Sequence, residues 1–321
     1  MPHTGKDRLF TWPLLIGLLI TTGLVILSLF VGVYDIFDGA HGGELFTITR
    51  IPRTMSLILA GAAMSMSGLV MQLLSQNRFV EPTTIGTTEW AALGMLAALI
   101  IAPEASLLVR MSVASVAAFG GTMVFFMILR QVTLKSSIIV PIIGMMLGAV
   151  VGALSTYIAL ANNLLQSVSI WFAGSFTSVI TGQYEPLWIT AFIAVAIFIA
   201  ADRFTMAGLG EDIATNVGLN YRRTVLLGTG LVAVATGVVT VVIGNLPFLG
   251  LIVPNIVSLF RGDDARSNLP WVCIIGIAIV TVCDIIGRTI IMPFEVPASL
   301  ILSILGSAVF IFLLLRQRRY G

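Results

Sequence analysis

Residues 54–75 read TMSLILAGAAMSMSGLVMQLLS, 22 positions without a charged side chain. A helix rises about 1.5 Å per residue, so a run of this length crosses the roughly 30 Å hydrocarbon layer of a bilayer. The rest of the chain repeats the pattern. Further apolar runs lie at Trp12–Val33, Ile85–Ala102, Leu107–Leu129, Ile138–Ala161, Pro186–Ala201, Thr224–Ile243, Phe248–Phe260, Leu269–Ile291 and Pro297–Leu315. Trp12–Val33 is long for a signal segment and lacks a small-residue cleavage site, so it is expected to stay as an anchor.

Composition agrees. Of 321 residues 58% are hydrophobic and 10% charged, and mean hydropathy is +1.05. A soluble domain is about 25% charged. A water-soluble enzyme, a nucleic-acid-binding module and a disordered chain are thereby excluded. Cys273 and Cys283 lie in one apolar run, about 15 Å apart on a helix and beyond disulfide reach. The expected fold is all-α: one polytopic membrane domain, 1–321, of about ten transmembrane helices.

Charge placement sets the orientation. With the N-terminus cytoplasmic, the cytoplasmic segments hold Lys6, Arg8, Arg78, Arg130, Lys135, Arg203, Arg222, Arg223, Arg261, Arg266, Arg316, Arg318 and Arg319. The opposite side holds only Arg50, Arg53, Arg110 and Arg288. This is a strong positive-inside bias, and it places both termini in the cytoplasm. Runs 54–75 and 224–243 each open on Arg-Thr and carry two glycines seven apart (Gly61 and Gly68; Gly230 and Gly237). Five helices apart, they suggest an inverted repeat of 54–161 and 224–315.

Ionisable residues within apolar runs are functional candidates because lipid makes them costly. Asp284 and Arg288, four apart, fit a structural ion pair. Glu89 lies near a helix start, where a carboxylate also acts as a capping acid. No buried chain of Asp, Glu and His suits a proton relay, which argues against an ion-coupled secondary transporter. No phosphate-binding loop occurs: Lys135-Ser136 has no preceding glycine. Segment 202–223 contains Gly210, Glu211 and Asp212 before Ile213 and Val217 on one face, with Gly218 as a stop. It reads as a short amphipathic helix outside the membrane, either an interfacial connector or a docking helix.

Five stretches together resemble the permease subunits of the ferric-siderophore, haem and cobalamin family of ABC importers. They are Arg50-Ile51-Pro52-Arg53 with Asn77-Arg78-Phe79-Val80-Glu81-Pro82; Trp171-Phe172-Ala173-Gly174-Ser175; Leu209-Gly210-Glu211 with Ala214 and Gly218-Leu219; Pro247 to Pro254 with Arg261-Gly262-Asp263-Asp264; and Asp284, Arg288, Glu295-Val296-Pro297 and Gly306. The resemblance implies a second, identical or homologous permease, two ATPase subunits that bind ATP and Mg, and an external siderophore-binding protein. The resemblance further implies that the chain is a permease of a bacterial cytoplasmic (inner) membrane and not an enzyme, with no cofactor of its own. The implied roles are docking of the binding protein for Arg50, Arg53 and Arg288. ATPase coupling falls to Leu209, Gly210, Glu211, Ala214, Gly218 and Leu219. Gating falls to Asn77, Phe79, Ser136 and Ser137. Departures at Pro254-Asn255, Val257-Ser258, Thr87–Ala91 and Gly306-Ser307 point to the branch for ferric catecholate or mixed-ligand siderophores over haem or cobalamin.

Overall fold

A computed structural model describes residues 12–32, 42–132 and 139–317. The gate candidates Ser136 and Ser137, and the topology-setting Lys6, Arg8, Lys135, Arg318 and Arg319, lie outside the described residues. Among the described residues the architecture is helical, with one isolated bridge between Ile291 and Phe294. Its principal helices are α1 Trp12–Phe30, α2 Ile51–Ser75, α3 Thr87–Ile101, α4 Leu107–Gln131, α5 Ile139–Ala161, α6 Trp188–Ile199, α7 Tyr221–Val242, α8 Leu249–Arg261, α9 Ala265–Thr289 and α10 Ala298–Gln317.

Each apolar run overlaps one of these helices. By length and composition α1, α2, α4, α5, α7 and α9 can each cross a membrane. The segment Glu185–Ile199, which contains α6, does so together with Ala201–Ala207, after a 62° bend. The other three, α3, α8 and α10, are shorter apolar helices.

Helix α2 is the innermost. Of its most apolar window 89% is buried within the protein, against 17% for α1 and 33% for α5. It packs against α9, α8, α7 and α6, and small residues bring the backbones together. A Cβ on Gly61 would lie 2.9 Å from the Ile277 Cα of α9, and one on Gly68 only 2.0 Å from the Gly250 carbonyl oxygen of α8. The corresponding glycines of α7 are less equal: Gly237 abuts Ser115 of α4, while Gly230 meets only the edge of Phe119.

Helices α3 and α8 begin within the bundle. Gly250, near the start of α8, faces Gly68, seven residues or about 10 Å from the end of α2. Gly86, at φ +83°, precedes α3 and packs on Gly148, nine residues into α5. The connection 76–86 therefore folds back between the helices before α3 starts. Left-handed Gln76 (φ 52°) ends α2 and makes that reversal, with its amide donating to the Leu73 carbonyl.

Candidate functional site

The candidates fall at three levels along the bundle. At the outer end Arg53, Asp284, Arg288 and Glu295 form one network. Arg53 Nη2 donates to Asp284 Oδ1 at 2.7 Å and its Nη1 to Glu295 Oε2 at 2.8 Å. Arg288 Nη2 meets Asp284 Oδ2 at 2.6 Å, so the expected i,i+4 pair is present. Arg288 Nη1 also donates to the carbonyls of Ser28 (2.9 Å) and Val31 (2.7 Å). Those carbonyls, at the end of α1, have lost their helical partners. Arg50 donates to the same Val31 carbonyl.

The three arginines are thus turned inward. Arg288 is 1% exposed, Arg50 9%, and the Arg53 side chain 11%. Desolvating a guanidinium in an apolar setting requires a nearby carboxylate and hydrogen bonds. Asp284 and Glu295 supply the carboxylates from within the chain. Instead of an open basic patch, this cluster sets three guanidiniums against two carboxylates. Glu295, in the connection after α9, is half-buried. Burial opposes its ionisation, but Arg53 and the Thr177 hydroxyl outweigh this and hold its carboxyl below the ordinary range. Beside it an open cleft of about 1000 Å³ is lined by Arg110, Gln166, Ser169, Ser175, Thr177 and Pro297.

At mid-depth lies the re-entrant loop with Asn77 and Phe79. Asn77 Oδ1 accepts from the Phe79 amide at 2.9 Å, an Asx turn that tightens the loop. Phe79 is buried edge-on against Phe310 of α10, centroids 5.6 Å apart, and Phe248 lies on the other side of that ring at 6.4 Å. Two features here escaped sequence reasoning. Glu81, fully buried, accepts from the Phe248 amide at 2.8 Å, while its Oε2, without a hydrogen-bond partner among the described residues, faces Gly250. A carboxylate there caps the N-terminus of α8 within the bundle. The signal was an acid in the apolar stretch after α2, hidden because it was read as loop.

The second is the repair of α8 at Pro254. Proline has no N–H, so the Gly250 carbonyl four residues back lacks its helical donor. Gln72 of α2 donates its side-chain amide there at 3.2 Å. Asn255 donates to the Leu251 and Arg78 carbonyls, both at 2.7 Å, and ties the re-entrant loop to α8. The Arg78–Asp263 bridge (2.5 Å) fastens the loop's exposed edge.

At the cytoplasmic end the amphipathic segment forms the helix Glu211–Asn216, shorter than the expected element. Gly210, at φ +106°, opens it and Gly218, at φ +86°, closes it. The Leu219 amide returns to the Ala214 carbonyl at 2.9 Å. Of the coupling candidates, Ala214 is wholly buried and anchors the helix, Leu219 is partly buried, and Gly210, Glu211 and Gly218 border it. Ile213 within the helix, and Leu209 and Val217 flanking it, are each more than half exposed. Glu89, the acid of α3, accepts from the Thr88 hydroxyl at 2.9 Å.

Comparison with known proteins agrees with this arrangement. The chain is 57% identical to the petrobactin import system permease protein FatD of Bacillus anthracis, over 98% of this chain and 94% of that one. It is 42% identical to the petrobactin import system permease protein YclN of Bacillus subtilis, over 93% and 96%. Its fold matches a solved chain described as an inward-facing metal-chelate type ABC transporter, with a TM-score of 0.79 at 23% identity, covering 95% of this chain and 98% of that one. The family model for FecCD transport matches residues 14–316. A buried central helix, two half-length helices and an exposed cytoplasmic helix are accordingly those of a multi-pass membrane permease, and the chain belongs to the FecCD transport family.

Proposed function

We propose that the chain is the permease of an ATP-driven importer that carries a ferric siderophore inward across the bacterial cytoplasmic membrane. The observation that carries the cargo is its 57% identity, over nearly its whole length, to a petrobactin permease. In this reading Leu209, Ile213 and Val217 form the face that docks on an ATPase, where ATP and Mg bind. The helix Glu211–Asn216 passes the ATPase stroke to α7, which starts five residues beyond its end.

The re-entrant loop with Asn77 and Phe79 serves as a gate, with Ser136 and Ser137 assigned to a second gate loop. A second permease completes the path. The outer end receives the binding protein. Because Arg53 already holds Glu295, docking is an exchange in which a partner carboxylate replaces Glu295 on Arg53. Arg50 borders that position, and Arg288 holds α1 to α9 behind it. The 54–161 and 224–315 halves fit an inverted repeat in that both contain a half-length helix, α3 and α8 respectively.

The test is uptake of radiolabelled ferric petrobactin by a strain deleted for this chain, with and without the gene restored. Uptake that returns with the gene and persists under a protonophore while ATP is maintained supports the reading. Uptake that collapses with the protonophore identifies an ion-coupled carrier. Unchanged uptake in the deletion removes the cargo.

A further inference from the structure

A second cavity, of about 290 Å³, lies at the cytoplasmic ends of α4 and α7. It has room for about ten water volumes. Its composition changes with depth. The cytoplasmic end carries Arg130, the last residue but one of α4, and Arg222, the second residue of α7. Met127 and Met123 lie one and two turns deeper on α4, and Leu226 one turn deeper on α7. Met127 and Leu226 are 59% and 41% exposed, so the apolar half opens sideways to the hydrocarbon.

Neither arginine makes an ion pair or hydrogen bond among the described residues. Every other charged group lining the cavity is accounted for by Glu211, so the cations outnumber the anion two to one. Two cations over an apolar wall, at the level where a bilayer changes from headgroup to acyl chain, match an anionic phospholipid in charge and in polarity profile. A soluble anion would have no use for the apolar half.

We propose that this cavity seats an anionic phospholipid of the cytoplasmic leaflet, its phosphate between Arg130 and Arg222 and an acyl chain along Met123, Met127 and Leu226. The occupant would touch the cytoplasmic ends of α2 and α7 and the start of the cytoplasmic helix. Gln76, at the end of α2, and Tyr221, the first residue of α7, both line the cavity. Glu211 opens the cytoplasmic helix. The lipid is thereby placed to tune how tightly α2, α7 and that helix hold together, whatever cargo the protein carries.

The test titrates dioleoylphosphatidylglycerol into the full-length chain purified in a neutral detergent and reads retained lipid by native mass spectrometry. Phosphatidylglycerol is expected to be retained and dioleoylphosphatidylcholine is not. The pair Arg130→Gln and Arg222→Gln is expected to weaken retention about 30-fold, from about one unit of surface attraction per arginine. Met127→Trp fills the apolar half with both charges intact and is expected to weaken it too. The pair Arg203→Gln and Arg223→Gln, which removes equal charge from the same face outside the cavity, is expected to leave it unchanged. Equal retention of the two lipids, equal loss in the control pair, no effect of Met127→Trp, or displacement by glycerol 1-phosphate would each overturn the proposal. The last of these would make the cavity a soluble-anion pocket.

Discussion

Replacing Asp284 with Asn tests whether the outer network holds the bundle. Asp284 is 2% exposed and shares its two oxygens between two guanidiniums, Arg53 on Oδ1 and Arg288 on Oδ2. Asparagine keeps the shape, removes the charge and turns one oxygen into a donor facing an arginine donor. Arg53 would retain Glu295, but Arg288, 1% exposed, would keep only the uncharged groups of Ser28 and Val31. Removing one partner of a buried pair costs about 3–5 kcal/mol, or two to more than three orders of magnitude in the ratio of folded to unfolded protein. The assay is thermal unfolding of the detergent-solubilised chain, with membrane accumulation as a second measure. Asp284→Asn combined with Arg288→Met removes both charges and should recover part of the loss. A single variant within about 1 kcal/mol of the parent, or a double variant worse than the single, would refute the reasoning.

Gly68→Ala should lower stability by at least the 1–3 kcal/mol of ordinary overpacking, because its Cβ would meet the Gly250 backbone and not a side chain that can turn away; a parental melting midpoint would contradict the α2–α8 contact. Glu81→Ala removes the cap of α8 and should cost about 1–2 kcal/mol, whereas Glu81→Gln should cost less; equal losses would assign the effect to the charge rather than the hydrogen bond. Ile213→Asp with Val217→Asp should leave folding intact, since both side chains are exposed, but abolish co-purification with the ATPase; retained association would move the docking face elsewhere. The lowered pKa of Glu295 means that its contribution is complete above the ordinary value of 4.5 and is lost as pH falls through the lower folded value. Glu295→Gln should therefore flatten the acid limb of the stability profile, and an unchanged limb would assign acid sensitivity to other groups.

The ten principal helices were legible as apolar runs, and bilayer thickness explains the lengths of all but the shorter α3, α8 and α10. Which helix is central was not. Lipid is as apolar as a protein interior, so hydropathy cannot separate them: α2 and α5 score 1.8 and 2.0, yet one is mostly enclosed and the other mostly exposed. The small residues of α2, which allow backbone contact, are the better signal. Charge counting grouped Arg50, Arg53 and Arg288 on one side, and the structure brings them together at one end of the bundle, but their inward orientation comes from Asp284, Glu295 and the α1 carbonyls, which meet them only through the fold. The exposed face of the cytoplasmic helix was legible from Ile213 and Val217. Its glycine stops set its length, and the buried position of Ala214 required the packing. The Gln72 contact with α8 was not legible, because it links residues 178 apart in sequence.

The glycine seams have a mechanical consequence. Side chains between helices act as a deformable layer, and shear between elements usually takes place in that layer. Where Gly61 meets Ile277 and Gly68 meets Gly250 there is no such layer. Helices α2, α8 and α9 must consequently travel as one rigid mast through any transport cycle. The relative motion falls to the contacts around the mast, and a cross-link within it should leave turnover intact where one between the mast and the cytoplasmic helix would stop it.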